Sequence, residues 1–156
     1  MGEKNTHELK KDNLKMIAIF KPFKGVGDFM FNKSIIDYIN LHQFTIYRKN
    51  GNYDCDKYNI DNPDISLYVS DNDIIESISC HEECLYKGRN LIGMTVEEFI
   101  SDTDEKYYGE VDKLDFEDDG IPQYVYEFDD IGLQVWSKNN VIVTVIASSE
   151  FVDEEE

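Results

Sequence analysis

Leu91-Ile92-Gly93-Met94-Thr95-Val96-Glu97-Glu98-Phe99 opens the stretch that decides the fold, and two apolar runs, 131–136 and 141–147, close it. Thr95 has Glu98 three residues on. That is the capping-box spacing, in which both side chains satisfy N–H groups left free at a helix start. Val96, Phe99 and Ile100 then share one helical face, which predicts a helix over about 95–103. The closing runs flank Lys138-Asn139-Asn140, residues suited to a tight turn, and predict a hairpin.

An earlier part of the chain repeats this order. Gly27 through Ile39 lies over Gly88 through Ile100 at an offset of 61, with Ser34 on Thr95, Asp37 on Glu98 and Tyr38 on Phe99. Ile35, Ile36 and Ile39 predict a first helix over about 33–42. Ile65-Ser66-Leu67-Tyr68-Val69 lies over Ile131-Gly132-Leu133-Gln134-Val135 at an offset of 66, and 74–78 lies over 141–145 at 67. Asp71-Asn72-Asp73 supplies the first turn. Shorter strands are expected at 16–20, 44–48 and 123–128, the last with Tyr124, Tyr126 and Phe128 on one side. The expected fold is α+β: a mostly antiparallel sheet with helices on one face, built from two copies of a helix-plus-hairpin unit. One domain is expected over 1–156, with repeats at about 25–80 and 86–147 and flexible ends at 1–14 and 150–156.

Charge is concentrated in the second copy. Between 97 and 130 there are 14 carboxylates against Lys106 and Lys113, so this span carries −12 of the net −18. The tail from Glu150 adds five acids, and the rest is near neutral, 33 − 14 − 5 = 14 acids against 15 − 2 = 13 bases. The growing offset, 61 to 66, places about five extra residues between helix and strands in this acidic span. Segments that outgrow their scaffold tend to carry function. Aromatic residues interleave the acids, and aromatics anchor interfaces while charges steer encounter.

Several chemistries are excluded. Gly25-Val26-Gly27 meets Met30 where a dinucleotide fingerprint needs glycine, and no Walker loop, HExxH or GxSxG occurs. Asp54-Cys55-Asp56 and Asp102-Thr103-Asp104 both depart from the calcium-loop pattern. Cys80, His81 and Cys84 are one ligand short of a closed zinc site, and Cys80 and His81 should diverge on a strand. The three cysteines are expected reduced and metal-free, with no cofactor. His42 is expected to cap a helix end. A −18 chain repels phosphate, which disfavours nucleic acid. The 16–20 run is too short for a membrane span or a signal core, which predicts a cytoplasmic protein. Met1-Gly2 with Thr6 fits the short myristoylation pattern literally, with nothing else in the sequence to support it.

Leu91-Ile92-Gly93-Met94-Thr95 followed by a long hairpin resembles the helix-loop-hairpin unit of the beta-lactamase-inhibitor-like fold, shared by outer-membrane assembly lipoproteins. The first copy departs, with Asn32 at the glycine position. In character the chain also resembles bacterial immunity proteins of contact-dependent growth inhibition: small, acidic and aromatic-rich. That resemblance implies a non-enzymatic antitoxin binding a basic toxin domain, most plausibly a nuclease. The expected partner-binding residues are Glu110, Asp112, Asp115, Glu117, Asp118 and Asp119, with Tyr107, Tyr108 and Trp136 as anchors, Trp136 half-exposed at a hairpin tip. The alternatives are an assembly adaptor binding a peptide or sheet edge, and a small-molecule pocket between helices and sheet.

Overall fold

The computed structural model describes residues 16–49 and 55–149. The expectations for 1–14 and 150–156, including the myristoylation pattern, lie outside the described residues. β1 (Phe20–Lys21), β2 (Gly25–Val26) and β3 (Phe29–Met30) make a small sheet, followed by β4 (Thr45–Tyr47), β5 (Asp56–Asp61), β6 (Asp64–Val69) and β7 (Ile75–Cys80). The short hairpin β8 (Leu85–Tyr86) and β9 (Arg89–Asn90) leads into α1 (Val96–Thr103). Then come β10 (Tyr108–Leu114), β11 (Gln123–Phe128), β12 (Leu133–Lys138) and β13 (Val141–Ser148). One antiparallel sheet of eight strands runs β10-β11-β12-β13-β7-β6-β5-β4. No described helix is long and apolar enough to cross a membrane.

The helix at 95–103 forms as expected. Thr95 Oγ1 accepts from the Glu98 N–H at 3.0 Å, and Glu98 Oε1 accepts from the Thr95 N–H at 2.9 Å. Val96, Phe99 and Thr103 are buried, and the Phe99 ring sits 4.8 Å from Phe128 on β11. Replacing Thr95 by alanine is expected to cost about 1 kcal/mol in urea unfolding, the usual worth of such a cap.

The helix expected at 33–42 is replaced by a single 3-10 turn, Ile35–Asp37. Ser34 still caps, accepting from the Ile36 N–H at 3.1 Å. Asp37 is a methylene shorter than Glu98, and no reciprocal bond closes among the described residues. Three β-branched isoleucines further weaken a helix here. Burial follows the turn: Ile35 and Tyr38 are inside, whereas Ile36 is 63% exposed. The sequence 16–20 likewise yields strand only at Phe20–Lys21, outside the large sheet.

The sheet consists of two four-strand meanders meeting along β7 and β13. At the seam, Val145 pairs Cys80, Ile146 pairs Ser79, and Ala147 pairs Ile78. Exchanging residues 67 apart (78 and 145, 79 and 146, 80 and 147) maps this register onto itself. The connections match too. The N–H of Asn32 donates to Ile75 O and that of Ile75 to Lys33 O; the N–H of Gly93 donates to Ile142 O and that of Ile142 to Met94 O. These are offsets of 93 − 32 = 61 and 142 − 75 = 67. Asn32 has a φ of 67° and Gly93 one of 100°, so Asn32 takes the left-handed backbone that asparagine tolerates best after glycine. Ile65 pairs Cys80 as Leu133 pairs Ala147, so the matched strand offset is 133 − 65 = 68, not 66. Tyr68 therefore corresponds to Trp136. The acidic excess between helix and β11 is correspondingly 68 − 61 = 7 residues, and it forms an edge strand and turn rather than a free loop.

The core lies on one side of the sheet. Leu133 and Val135, Val145 and Ala147, Ile78 and Cys80, Ile65 and Leu67, and Tyr58 and Ile60 face α1 and the N-terminal segment, joining Phe20, Val26, Phe29, Phe31, Leu91 and Phe99 in one apolar cluster. Among the described residues no helix or strand packs on the opposite side.

Candidate functional site

The uncovered side is ordered by strand register. Tyr108, Glu127, Gln134, Ile146, Ser79, Ser66, Asn59 and Thr45 are successive partners in one row across all eight strands. A neighbouring row runs Asp112, Val125, Trp136, Thr144. Small side chains at the centre, Ser79 and Ser66, are buried. Larger ones stand around them, including Tyr68 and Trp136.

Their polar atoms are joined sideways. Trp136 Nε1 donates to Gln134 Oε1 at 2.7 Å, and Gln134 Nε2 donates to Glu127 Oε2 at 2.7 Å. Asn59 Nδ2 donates to Asp64 Oδ1 at 2.9 Å and to Ser66 Oγ at 3.0 Å. His81 bridges the two meanders, with Nε2 3.1 Å from Ser79 Oγ and Nδ1 3.2 Å from Thr144 Oγ1. Burial lowers the His81 pKa, so the ring is neutral at pH 7. These bonds hold the side chains of this face in fixed rotamers.

The Ser79–His81–Thr144 chain has the order of a nucleophile, base and orienting group, yet Ser79 is 0% exposed and the third group is a neutral hydroxyl. A nucleophile must reach its substrate, so this arrangement is a structural bridge.

The sequence-predicted residues divide between the two sides. Trp136 is half-buried, as expected, but lies within β12 rather than at a hairpin tip. Asp112 and Tyr108 share its face by register. Tyr108 donates its hydroxyl to Asp130 Oδ2 at 2.8 Å, a bond that raises the phenol's pKa. Tyr107 turns the other way, its ring 5.0 Å from Tyr126 and 5.9 Å from Phe128 on the helix side. It stays 39% exposed at the margin of that side. Glu110 sits in the irregular part of β10, exposed. Asp115, Glu117 and Asp118 are exposed in the turn to β11. Asp119 holds that turn together. It accepts from Lys138 Nζ and from the Ile121 N–H at 2.9 Å, and both bonds hold its pKa down.

Among the described residues, Arg89 pairs Asp102, Lys87 pairs Glu105 and Lys138 pairs Asp119. Within the same described residues, no ion pair joins Glu110, Asp112, Asp115, Glu117, Asp118, Glu127, Asp129 or Asp130. Charges on an exposed edge strand also prevent sheet-to-sheet aggregation, and β10 is such an edge.

Two other sequence expectations meet the structure here. Cys80 is in the core while His81 lies on the uncovered side, so they do diverge. Cys84 is buried beside Cys80, and that contact with burial raises its pKa well above the usual thiol value. No described group of three His, Cys, Asp or Glu is placed to hold a metal. His42 does not cap a helix: its ring packs 4.9 Å from Phe29 and 6.0 Å from Phe44.

Sequence reasoning missed Glu127, Gln134, Ser66, Asn59 and Thr144 as one surface. Each lies in a period-two strand, and only the register brings them together. No protein-family model, curated protein or solved structure matches this chain.

Proposed function

We propose that this chain is a non-enzymatic binding protein that neutralises a basic protein, and specifically an immunity protein for a cationic toxin domain such as a nuclease. One observation carries the reading. Among the described residues an eight-stranded sheet is covered on one side only, and its other side presents a pre-ordered aromatic and polar surface bounded by an edge strand and turn rich in carboxylates that none of those residues pairs. A nuclease site is positive because it holds phosphates, and a surface of opposite charge speeds its capture. The cytoplasm is where such an inhibitor would act.

We also take the two meanders as copies of one unit, a helical turn followed by four strands. The self-consistent seam, the matched pairs of backbone bonds and the common left-handed positions at Asn32 and Gly93 support it. The resemblance to the beta-lactamase-inhibitor-like fold enters on the same footing.

An adaptor that adds a partner strand is the second reading, favoured by the open edge of β10. Salt separates the two, since backbone pairing is far less screened than charge steering.

The test is protection of growth when the chain is co-expressed with the toxin encoded beside it. Reversing Asp115, Glu117 and Asp118 to Lys should leave the melting temperature nearly unchanged, because exposed charges are worth under about 1 kcal/mol each. The same variant should slow association roughly tenfold or more at low salt. Asp119 is excluded from the set because it holds the turn. Full protection with an unchanged association rate would reduce the strip to a solvated edge.

A further inference from the structure

Two recesses open on the uncovered side. One, of about 410 Å³, is lined by Tyr47, Lys57, Asn59, Asp64, Ser66 and His81. The other, of about 280 Å³, is lined by Phe23, Glu127, Asp129, Gly132, Gln134 and Ile146, among others. They occupy matched places in the two meanders: Asn59 with Glu127, Asp64 with Gly132 and Ser66 with Gln134, each 68 apart, and His81 with Ser148, 67 apart. The same cross-strand link spans each floor, Asn59 to Ser66 in one and Gln134 to Glu127 in the other.

The chemistry differs between them. The first recess contains its own cation, Lys57, whose Nζ lies 4.7 Å from the Tyr47 ring centroid. The second contains two carboxylates and no base. Gln134 bonds Glu127 Oε2, and among the described residues no cation neutralises Glu127 or Asp129. Its wall is the Phe23 ring. Gly132 makes that wall possible: its φ is 64°, and a Cβ there would come within 2.7 Å of the ring. The matching Asp64 lines the first recess, where its Oδ1 accepts from Asn59 Nδ2 at 2.9 Å. At about 280 Å³ the second recess falls just below the roughly 300 Å³ where ligand pockets begin, so it suits one side chain better than a free cofactor.

We infer that this second recess receives an arginine side chain of the partner; the inference rests on the proposal that this face docks a basic protein. A guanidinium donates in two directions at once, which matches carboxylates approaching from Glu127 and Asp129. Its plane stacks on an aromatic ring, here Phe23, and its methylenes cover apolar surface, here Ile146. A lysine ammonium is a compact, strongly hydrated point charge with no planar face to lay on the ring, so the recess discriminates between them.

The probe is N-acetyl-arginine amide, titrated into the full-length 15N-labelled protein, with the lysine and citrulline amides in parallel. Saturable shifts are expected at the Gly132 amide, the Gln134 side-chain amide and the Trp136 indole N–H. Arginine should bind at least roughly fivefold tighter than lysine. Uncharged citrulline should not saturate. The Glu127→Gln, Asp129→Asn double variant should lose the arginine response and weaken the toxin complex. Equal responses to arginine and citrulline would overturn the inference, as would arginine shifts confined to the Asp115–Asp118 turn, or a double variant that binds toxin unchanged. Those failures leave the wider proposal standing if the turn reversals still slow toxin association. If neither the reversals nor the double variant alters protection, the wider proposal fails as well.

Discussion

Phe99→Ala is expected to destabilise the protein by about 3–5 kcal/mol, the range for emptying a fully buried aromatic site. Phe99 is 0% exposed and meets Phe128 edge-on at 4.8 Å. It is the central contact of the only α-helix among the described residues. The cavity would open between α1 and β11, and the sheet cannot close over it because its strands are fixed to each other. Edge-to-face geometry adds about 0.5–1.5 kcal/mol beyond area. A small domain is stable by only about 5–15 kcal/mol, so the loss takes a large share and should move the urea midpoint at constant slope. Phe116→Ala is the control. Phe116 is 36% exposed in the acidic turn, and its loss should stay within about 0.5 kcal/mol. Equal effects from the two would mean that α1 does not clamp the sheet.

How much of this was legible depended on what each segment buries. β11 spans 123–128 as the alternation of Tyr124, Tyr126 and Phe128 predicts, and the apolar run of β13 forms a strand that turns Val145 and Ala147 into the core and Ile146 to the other side. α1 followed from Thr95 and Glu98, because a capping box is a local device. β10 was invisible for the opposite reason. It buries no side chain and is held by backbone bonds to β11, so Tyr108-Gly109-Glu110-Val111-Asp112 reads as an acidic loop. β5 offered only Tyr58 and Ile60 among polar neighbours. The offset of 66 instead of 68 has a physical cause too. A strand pattern shifted by two keeps every side chain on its own face, so alternation alone cannot separate the two registers. The correspondence of Tyr68 with Trp136 was lost by that step. Of the candidate site, the charge and Trp136 were legible. Which side of the sheet stays uncovered was not, because it depends on where α1 and the N-terminal segment pack.

Trp136→Ala is expected to weaken the proposed toxin complex by about 2 kcal/mol or more, roughly thirtyfold, nearly all of it as faster dissociation. Trp136 stands between Val125 and Thr144 on the uncovered side, its N–H already satisfied by Gln134 at 2.7 Å. A partner that covers the ring therefore gains apolar contact without stranding a buried donor, and the Gln134–Glu127 link holds the ring ready. Rim charge behaves differently: the Asp115, Glu117 and Asp118 reversals act on encounter and fade as salt is raised. The two variants should thus separate by kinetics, one in the off-rate at every salt concentration and the other in the on-rate at low salt. Stability should not confuse the comparison. Trp136 is only half-buried and belongs to no part of the apolar cluster on the helix side, so the melting curve should shift far less than for Phe99→Ala. An unchanged dissociation rate for Trp136→Ala, beside an acidic variant that still slows association, would move the interface off the sheet face and onto the β10 edge alone.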